Sequence, residues 1–352
     1  MQCLEGGSSM KMREWIGAAA FAVLLATITT AGARADEKEV IEFNYGIPTG
    51  SYVQLYVAED QGLFPKHGLK PHFFSFQSGA PLLAGLKSGS LDVVTTGLAS
   101  VFALGQGIPV KYLYYMGDAS QAEALVARRG AGINSIKDLA KAKQVGAAVG
   151  TCAQISLYWA AKAAGTDYSA LKTVNIAPPL YRNAFLGGSV DAGVAWAPYS
   201  LQLVAAGEQL VGFDADWVPG GGTCPETTLA SIAAIKDKPK LAERLVKVQA
   251  EALSLIAKNP QLAVDALVKR LSITPEIAKQ VFDRYFKDAP TLEKHIDPNS
   301  RYAFVGDKGL FAQLKLASET YVALGVLKEP IPEEKLRDAI DPQYVKAYFG
   351  KP

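Results

Sequence analysis

Histidine and cysteine are scarce in this 352-residue chain, with three of each. So few cysteines exclude a disulfide-dense scaffold or a multi-cysteine zinc module. Charge of one sign is also missing. Thirty-six Lys+Arg stand against 34 Asp+Glu, a formal net charge of +2. That balance gives no basic field for a nucleic-acid backbone, so no nucleic-acid partner is expected. The sequence has no G-x-S-x-G, no Walker A loop, no H-E-x-x-H and no C-x-x-C, which removes the commonest hydrolase, nucleotide, zinc-protease and redox motifs. His67 falls in a Gly/Pro-flanked turn and His72 at a strand start, neither with a Cys, Asp or Glu at metal-ligand spacing. No metal, cofactor or catalytic group is expected. What is plentiful is apolar residue, 49% of the chain, enough for a sizeable core and too much for disorder.

The N-terminus reads as an export signal. Lys11 and Arg13 precede the apolar run Trp15–Ile28, and Ala33-Arg34-Ala35 fits the A-x-A cleavage pattern. The run is shorter than the roughly 20 apolar residues that span a bilayer. Residues 1–35 are expected to be removed after Ala35, the chain starting at Met1 or Met10, and the product is expected in the periplasm. Cys3 leaves with the leader. Cys152 and Cys224 remain, either as a disulfide, which an oxidising compartment permits, or as two buried thiols.

From Val40 the pattern alternates short β-rich runs with helical spacing, as in a mostly parallel sheet covered by helices. Runs at 40–45, 72–76, 91–94, 110–116, 124–127, 144–149, 173–176, 190–196, 209–213 and 228–235 read as strands. After Lys238 the periodicity is helical throughout. Four Gly/Ser/Thr loops follow strands and precede helices: Gly46–Tyr52 (holding Thr49, Ser51 and Tyr52), Gln77–Ala80, Thr95–Ala99 and Gly150–Gln154. Ligands of parallel α/β sheets bind beyond such strand ends, and a helix N-terminus suits an anion. Plain N-capping explains any one loop. Four of them without catalytic apparatus lean toward a cleft for a small anion.

Several stretches resemble the periplasmic solute-binding proteins of the taurine, alkanesulfonate and nitrate group. Gly62-Leu63-Phe64-Pro65-Lys66-His67-Gly68-Leu69 is similar to that family's GLF-x-K-x-GL segment, and Ser78-Gly79-Ala80 with Leu86–Val93 to its SGA and L-x-SG-x-hD-h stretch. Glu123-Ala124-Leu125-Val126 resembles its hinge strand, Ile133–Leu139 its I-x-S-x-x-DL signal, and Pro178-Pro179 through Gly188–Ala192 to Trp196-Ala197-Pro198 its PP, hDA and WAP run. The order holds from about Val40 to Ile235 and is strongest for taurine-binding members.

The resemblance implies an α/β, two-lobed periplasmic-binding-protein type II fold with a helical C-terminal region. Lobe 1 would comprise 36–122 and 229–352, lobe 2 would comprise 123–228, and the hinge crossings would lie near Glu123 and Thr228. It also implies a monomer, a small anionic or zwitterionic solute, and the permease of an ABC importer as partner. Ser78, Gly79 and Ala80 would form the anion-contacting turn. Thr96, Gly97 and Leu98 would form the next loop, with Thr151 and Cys152 on the second lobe. Trp196 and Pro198 would supply an aromatic wall, or Trp196 simply packs in the core. Glu123 would pair with a solute amine or make a structural hinge bond. Arg182, beside the second-lobe loop, would be a further anion candidate or, more simply, a solvated surface residue. Where taurine-binding members carry an acid on the returning segment this chain has Thr228, with Glu226 two residues earlier. That departure leaves amine-free sulfonates, nitrate, a thiamine-precursor pyrimidine and an aromatic carboxylate open. A pyrimidine-precursor synthase, which shares the fold, would need a cleft histidine and a Cys-rich motif that are absent here.

Overall fold

A computed structural model describes residues 39–286 and 291–349. The expected leader, its cleavage point, Cys3 and the choice of start lie outside them.

Among the described residues ten strands form two five-stranded sheets. They are β1 (Ile41–Pro48), β2 (Leu69–Phe76), β3 (Val93–Thr96), β4 (Val110–Asp118), β5 (Ala124–Ala127), β6 (Val145–Ala147), β7 (Thr173–Asn175), β8 (Ala192–Ala195), β9 (Gln209–Phe213) and β10 (Pro225–Ser231). The first sheet runs β2-β1-β3-β10-β4 and the second β7-β6-β8-β5-β9. Each has one reversed strand. β10 is antiparallel to β3 and β4, and β5 to β8 and β9. All other pairs are parallel. The chain therefore passes between the sheets twice, at 119–123 and at 214–224.

The inner strands are continuous apolar or small-residue runs, as expected where both faces are covered. β3, β5, β8 and β10 are buried at every position. In β5 the period of two is explicit: Leu125 and Ala127 enter one apolar layer, Ala124 and Val126 the other. Tyr181 lies so close to this sheet that a Cβ on Gly193 would sit 2.1 Å from its ring and one on Gly146 2.6 Å. Only glycine fits at those two positions.

The helix Leu241–Lys258 carries Leu241, Leu245, Val248, Ala252 and Ile256 on one buried stripe. It covers the first sheet. Beneath it runs a polar network. Tyr45 Oη lies 2.6 Å from Thr95 Oγ1, which lies 3.0 Å from Thr228 Oγ1, and Gln249 Nε2 donates to Thr228 Oγ1 at 2.8 Å.

Two expectations are corrected. The run 228–235 is not one strand. β10 starts earlier and stops at Ser231, whose side chain accepts the Ala234 N–H and opens a helix, Ile232–Asp237. A short apolar run cannot by periodicity be told from a buried helix. Thr228 consequently lies within β10 of the first sheet, and the second crossing precedes it. Among the described residues no helix is long and apolar enough to cross a membrane.

Candidate functional site

The strand ends of both sheets meet over one cavity of about 390 Å³, open mouth included. The centre of a water-sized sphere has only about 30 Å³ to move in, so an occupant would be small. The first sheet supplies Pro48 at the end of β1 and Tyr52 beyond it, Gly79 after β2, Thr96 at the end of β3 with Gly97, Leu98 and Ala99 beyond it, and Glu226 from β10. The second contributes Thr151 and Cys152 at the start of the helix Cys152–Ala163, and Trp196 after β8. Ala119 and Cys224 come from the two crossings.

Local chemistry explains these placements. Thr151 caps its helix by accepting the Ala153 N–H at 3.3 Å and anchors the turn by donating to Ala148 O at 2.7 Å. Cys152, the next residue, is joined to Cys224 in a disulfide with Cα atoms 5.4 Å apart. The disulfide lies against Gly97, where a Cβ would be 2.6 Å from Cys152 Sγ, and the Leu98 N–H points at the same sulfur from 3.4 Å. Trp196 Nε1 is buried at the wall with no hydrogen-bond partner.

The structure does not bring every expected residue to this wall. Thr49 donates to Gln77 O at 3.0 Å, and Ser51 to Ala197 O at 3.0 Å, so their hydroxyls are spent joining loops. Ser78 and Ala80 are half-buried beside the cavity, Ala80 facing Gly150. Pro198 is buried and does not line the cavity. Thr228 belongs to the polar network under the first sheet. Glu123 is fully buried against the disulfide and does not line the cavity. Arg182 lines a separate surface groove. Pro48, Ala99 and Ala119 line the cavity without having been named as site residues, and Cys224 lines it through its disulfide with Cys152. Pro48 and Ala99 lie inside loops the sequence marks. Ala119 carries no signal in its type.

Among the described residues no Lys, Arg or His lines the cavity, and Glu226 is the one carboxyl that does. Burial pushes Glu226 up to about 8, against a hydrogen bond from Tyr285 that favours the charged form, with Asp118 adding to the rise. Burial likewise holds the Tyr52 phenol well above its usual value, and Glu226 adds to it. Behind the wall the crossings concentrate acids. Burial, then Asp214, Asp118 and Glu226, holds Glu123 well above the usual range, and Asp214 is pushed up to about 7, chiefly by burial. Asp118 instead pairs with Arg301 at 2.7 Å. Burial works against the Arg301 charge, but Asp118 more than offsets it. Among the described residues, Glu123, Cys152 and Cys224 bring three metal-capable side chains together. The arrangement can hold a small polar solute between neutral donors and one acid. Its two sulfurs are bonded to each other, so neither is a free thiol.

The model of the family described as NMT1/THI5 like matches residues 50–263, more than half of the chain. A Bacillus subtilis (strain 168) protein named "Putative aliphatic sulfonates-binding protein" is 29% identical over 283 residues, covering 78% of this chain and 81% of that one. Among solved structures, the alkanesulfonate-binding protein SsuA from Xanthomonas axonopodis pv. citri, bound to MOPS, aligns with a TM-score of 0.71 at 18% identity, over 86% of this chain and 98% of that one. The periplasmic nitrate-binding protein NrtA from Synechocystis PCC 6803 aligns with a TM-score of 0.68 at 14% identity, over 89% of each chain. At those identities the likeness is one of fold: the two-lobed α/β fold of periplasmic binding proteins.

Proposed function

The chain belongs to the NMT1/THI5-like family, and from that premise we propose that it is the periplasmic solute receptor of an ABC importer for a small organic sulfonate. The observation that carries the reading is the cavity wall. Both sheets contribute to it, and among the described residues its polar groups are neutral donors plus one carboxyl, with no lysine, arginine or histidine. A sulfonate stays ionised and has three acceptor oxygens. The Thr96 hydroxyl, the unpartnered Trp196 N–H and the start of the helix Cys152–Ala163 suit such an anion without a lysine or arginine. Glu226 then suits an amine at the other end of the solute, which favours an aminosulfonate such as taurine.

In this reading 39–118 with 225–349 form one lobe, 124–213 form the other, and the crossings act as hinges that close the lobes on the solute. The receptor works as a monomer and hands its solute to a membrane permease. It binds rather than catalyses.

Calorimetry on refolded, solute-free protein tests this. Taurine is expected to bind at one site, and Glu226→Gln to weaken it about 10–100-fold, as loss of a hydrogen bond to a charged group does. Ethanesulfonate, which lacks the amine, should be little affected by that substitution. Equal taurine affinity in parent and variant would remove the amine contact. No binding of any sulfonate would remove the class. An amine-free anion such as nitrate has one observation in its favour: at about 8, Glu226 keeps its proton at neutral pH and can donate. Affinity for such an anion falls as pH rises through 8, whereas an ammonium solute gains affinity as Glu226 ionises.

A further inference from the structure

Three donors meet under the cavity floor. Atoms of Glu123, Cys152 and Cys224 lie within 4.8 Å of one another, all buried. A tetrahedral zinc ion with Zn–S about 2.3 Å and Zn–O about 2.0–2.2 Å holds its ligand atoms roughly 3.5–3.8 Å apart. Once the S–S bond is broken, the two sulfurs must part and the carboxylate must approach, movements of about 1 Å. An independent observation points the same way. Glu123 is 0% exposed, yet neither of its carboxyl oxygens has a hydrogen-bond partner. A buried polar group left unpaired is costly and calls for an explanation.

We propose that reduction of the Cys152–Cys224 disulfide converts the cleft floor into a thiolate–carboxylate site for a borderline-soft divalent cation such as Zn²⁺, held by Glu123, Cys152 and Cys224. The step needs a dithiol reductant. The dithiol passes two electrons and two protons to the disulfide, the S–S bond breaks, and the reductant itself becomes a disulfide. The ion then displaces the two thiol protons to solvent.

The surroundings favour this. Cys152 is the first residue of a 12-residue helix, whose N-terminal field favours a thiolate. The Leu98 N–H already points at its sulfur from 3.4 Å and would orient the ligand from outside. Both cysteines line the cavity, so an ion has a path in. Its fourth position would face the cavity, open to water or to an oxygen of the solute. Two thiolates and one carboxylate around a divalent ion sum to a net charge of −1. The oxidised chain supplies one carboxylate and no thiolate, so redox state controls the site.

Co²⁺ is the probe. The full chain, reduced with a dithiol and desalted without oxygen, is titrated with Co²⁺. One equivalent is expected to bind with thiolate-to-cobalt absorption in the near ultraviolet, and Zn²⁺ should displace it. The oxidised chain should stay colourless. Glu123→Gln, close in shape and without the buried acid, should weaken Co²⁺ at least about tenfold in the reduced state. Circular dichroism follows the fold throughout. If reduction alone loosens the fold, Co²⁺ should restore it as the absorption appears. A reduced chain that Co²⁺ neither colours nor refolds overturns the proposal, and so does a Glu123→Gln chain that binds Co²⁺ as tightly as its parent. Solute titrations use the oxidised chain, so the receptor reading stands or falls separately.

Discussion

The two sheets share one strand order and differ in how they are held. The first buries Phe43, Tyr45, Tyr112, Tyr114 and Tyr115 nearly completely, has strands of up to nine residues, and is covered by the helix Leu241–Lys258. The second has strands of three to five residues, between two thin layers rich in alanine, valine and leucine. Its remaining support comes from cross-links. The disulfide ties the helix Cys152–Ala163 to the second crossing, and Trp159 Nε1 donates to Thr320 Oγ1 of the helix Leu310–Ala323 at 3.1 Å. One topology can therefore stand on its own core or be held from outside, and the cleft lies where the two kinds of lobe meet.

The sharpest break of that comparison is a matched cavity. Leu229 in β10 and Leu125 in β5 occupy the reversed strand of their sheets, and each is 0% exposed. Leu→Ala at a fully packed site costs about 2–5 kcal/mol. Leu229→Ala is expected near the top of that range and Leu125→Ala near the bottom, because thin layers collapse more easily around a void. Urea unfolding of both variants checks this. A larger loss at Leu125 would reverse the comparison.

The disulfide comes next. Its partners are 72 residues apart, and that loop holds β7, β8 and β9. Loop closure of this length stabilises by about 4 kcal/mol. Cys224→Ser should accelerate amide exchange across the second sheet far more than across β1, β3 and β4. Uniform acceleration would mean that the sheets unfold as one unit.

Acidity sets the crossings, and the start of β10 beside them, apart from the rest of both sheets. Asp214 rises from 3.8 to about 7 and Glu226 from 4.5 to about 8, chiefly by burial, and Glu123 rises too. A raised folded-state value means that the folded chain holds its proton more tightly than the unfolded one. The stabilising effect is complete below the unfolded value and is lost as pH rises through the folded value. The melting temperature should therefore fall between about pH 5 and 8, each kcal/mol moving it by about 2–4 °C. Asp214→Asn with Glu226→Gln should flatten that slope. Asp138, held near 2 by a hydrogen bond from Lys141, loses its contribution only below the ordinary carboxylate range, outside this window. A flat parent profile would show that water reaches these acids.

The alternation of β-rich runs and the helical end were legible because burial on both faces writes continuous apolar segments. The cleft loops were legible as Gly, Ser and Thr clusters at strand ends. Tertiary pairing was not. Nothing in Pro225–Ser231 announces a strand that returns antiparallel between β3 and β4, so Thr228 was read as a hinge residue when its hydroxyl meets Thr95 and Gln249. Glu226, weighed as an acid of the site, does line the cavity while Thr228 does not, and the register shift between Glu226 and Thr227 that breaks the strand's alternation there is not marked in the sequence. Ser51 and Thr49 looked like binding hydroxyls, yet their partners are carbonyls 146 and 28 residues away.

Ser51 gives the smallest and most discriminating effect. Its hydroxyl donates to Ala197 O at 3.0 Å and joins the loop after β1 to the loop after β8. Ser51→Ala strands that buried carbonyl at a cost of about 1 kcal/mol, roughly a fivefold change in an equilibrium constant. If the lobes part in the empty receptor, the contact forms only on closure. The variant should then bind solute about fivefold more weakly while the empty protein melts where its parent does. If the lobes are fixed, the same 1 kcal/mol appears in the melting of the empty protein and the affinity barely changes. Calorimetric titration beside thermal melting of one variant thus distinguishes a lobe that moves on its cross-links from one that is merely pinned by them.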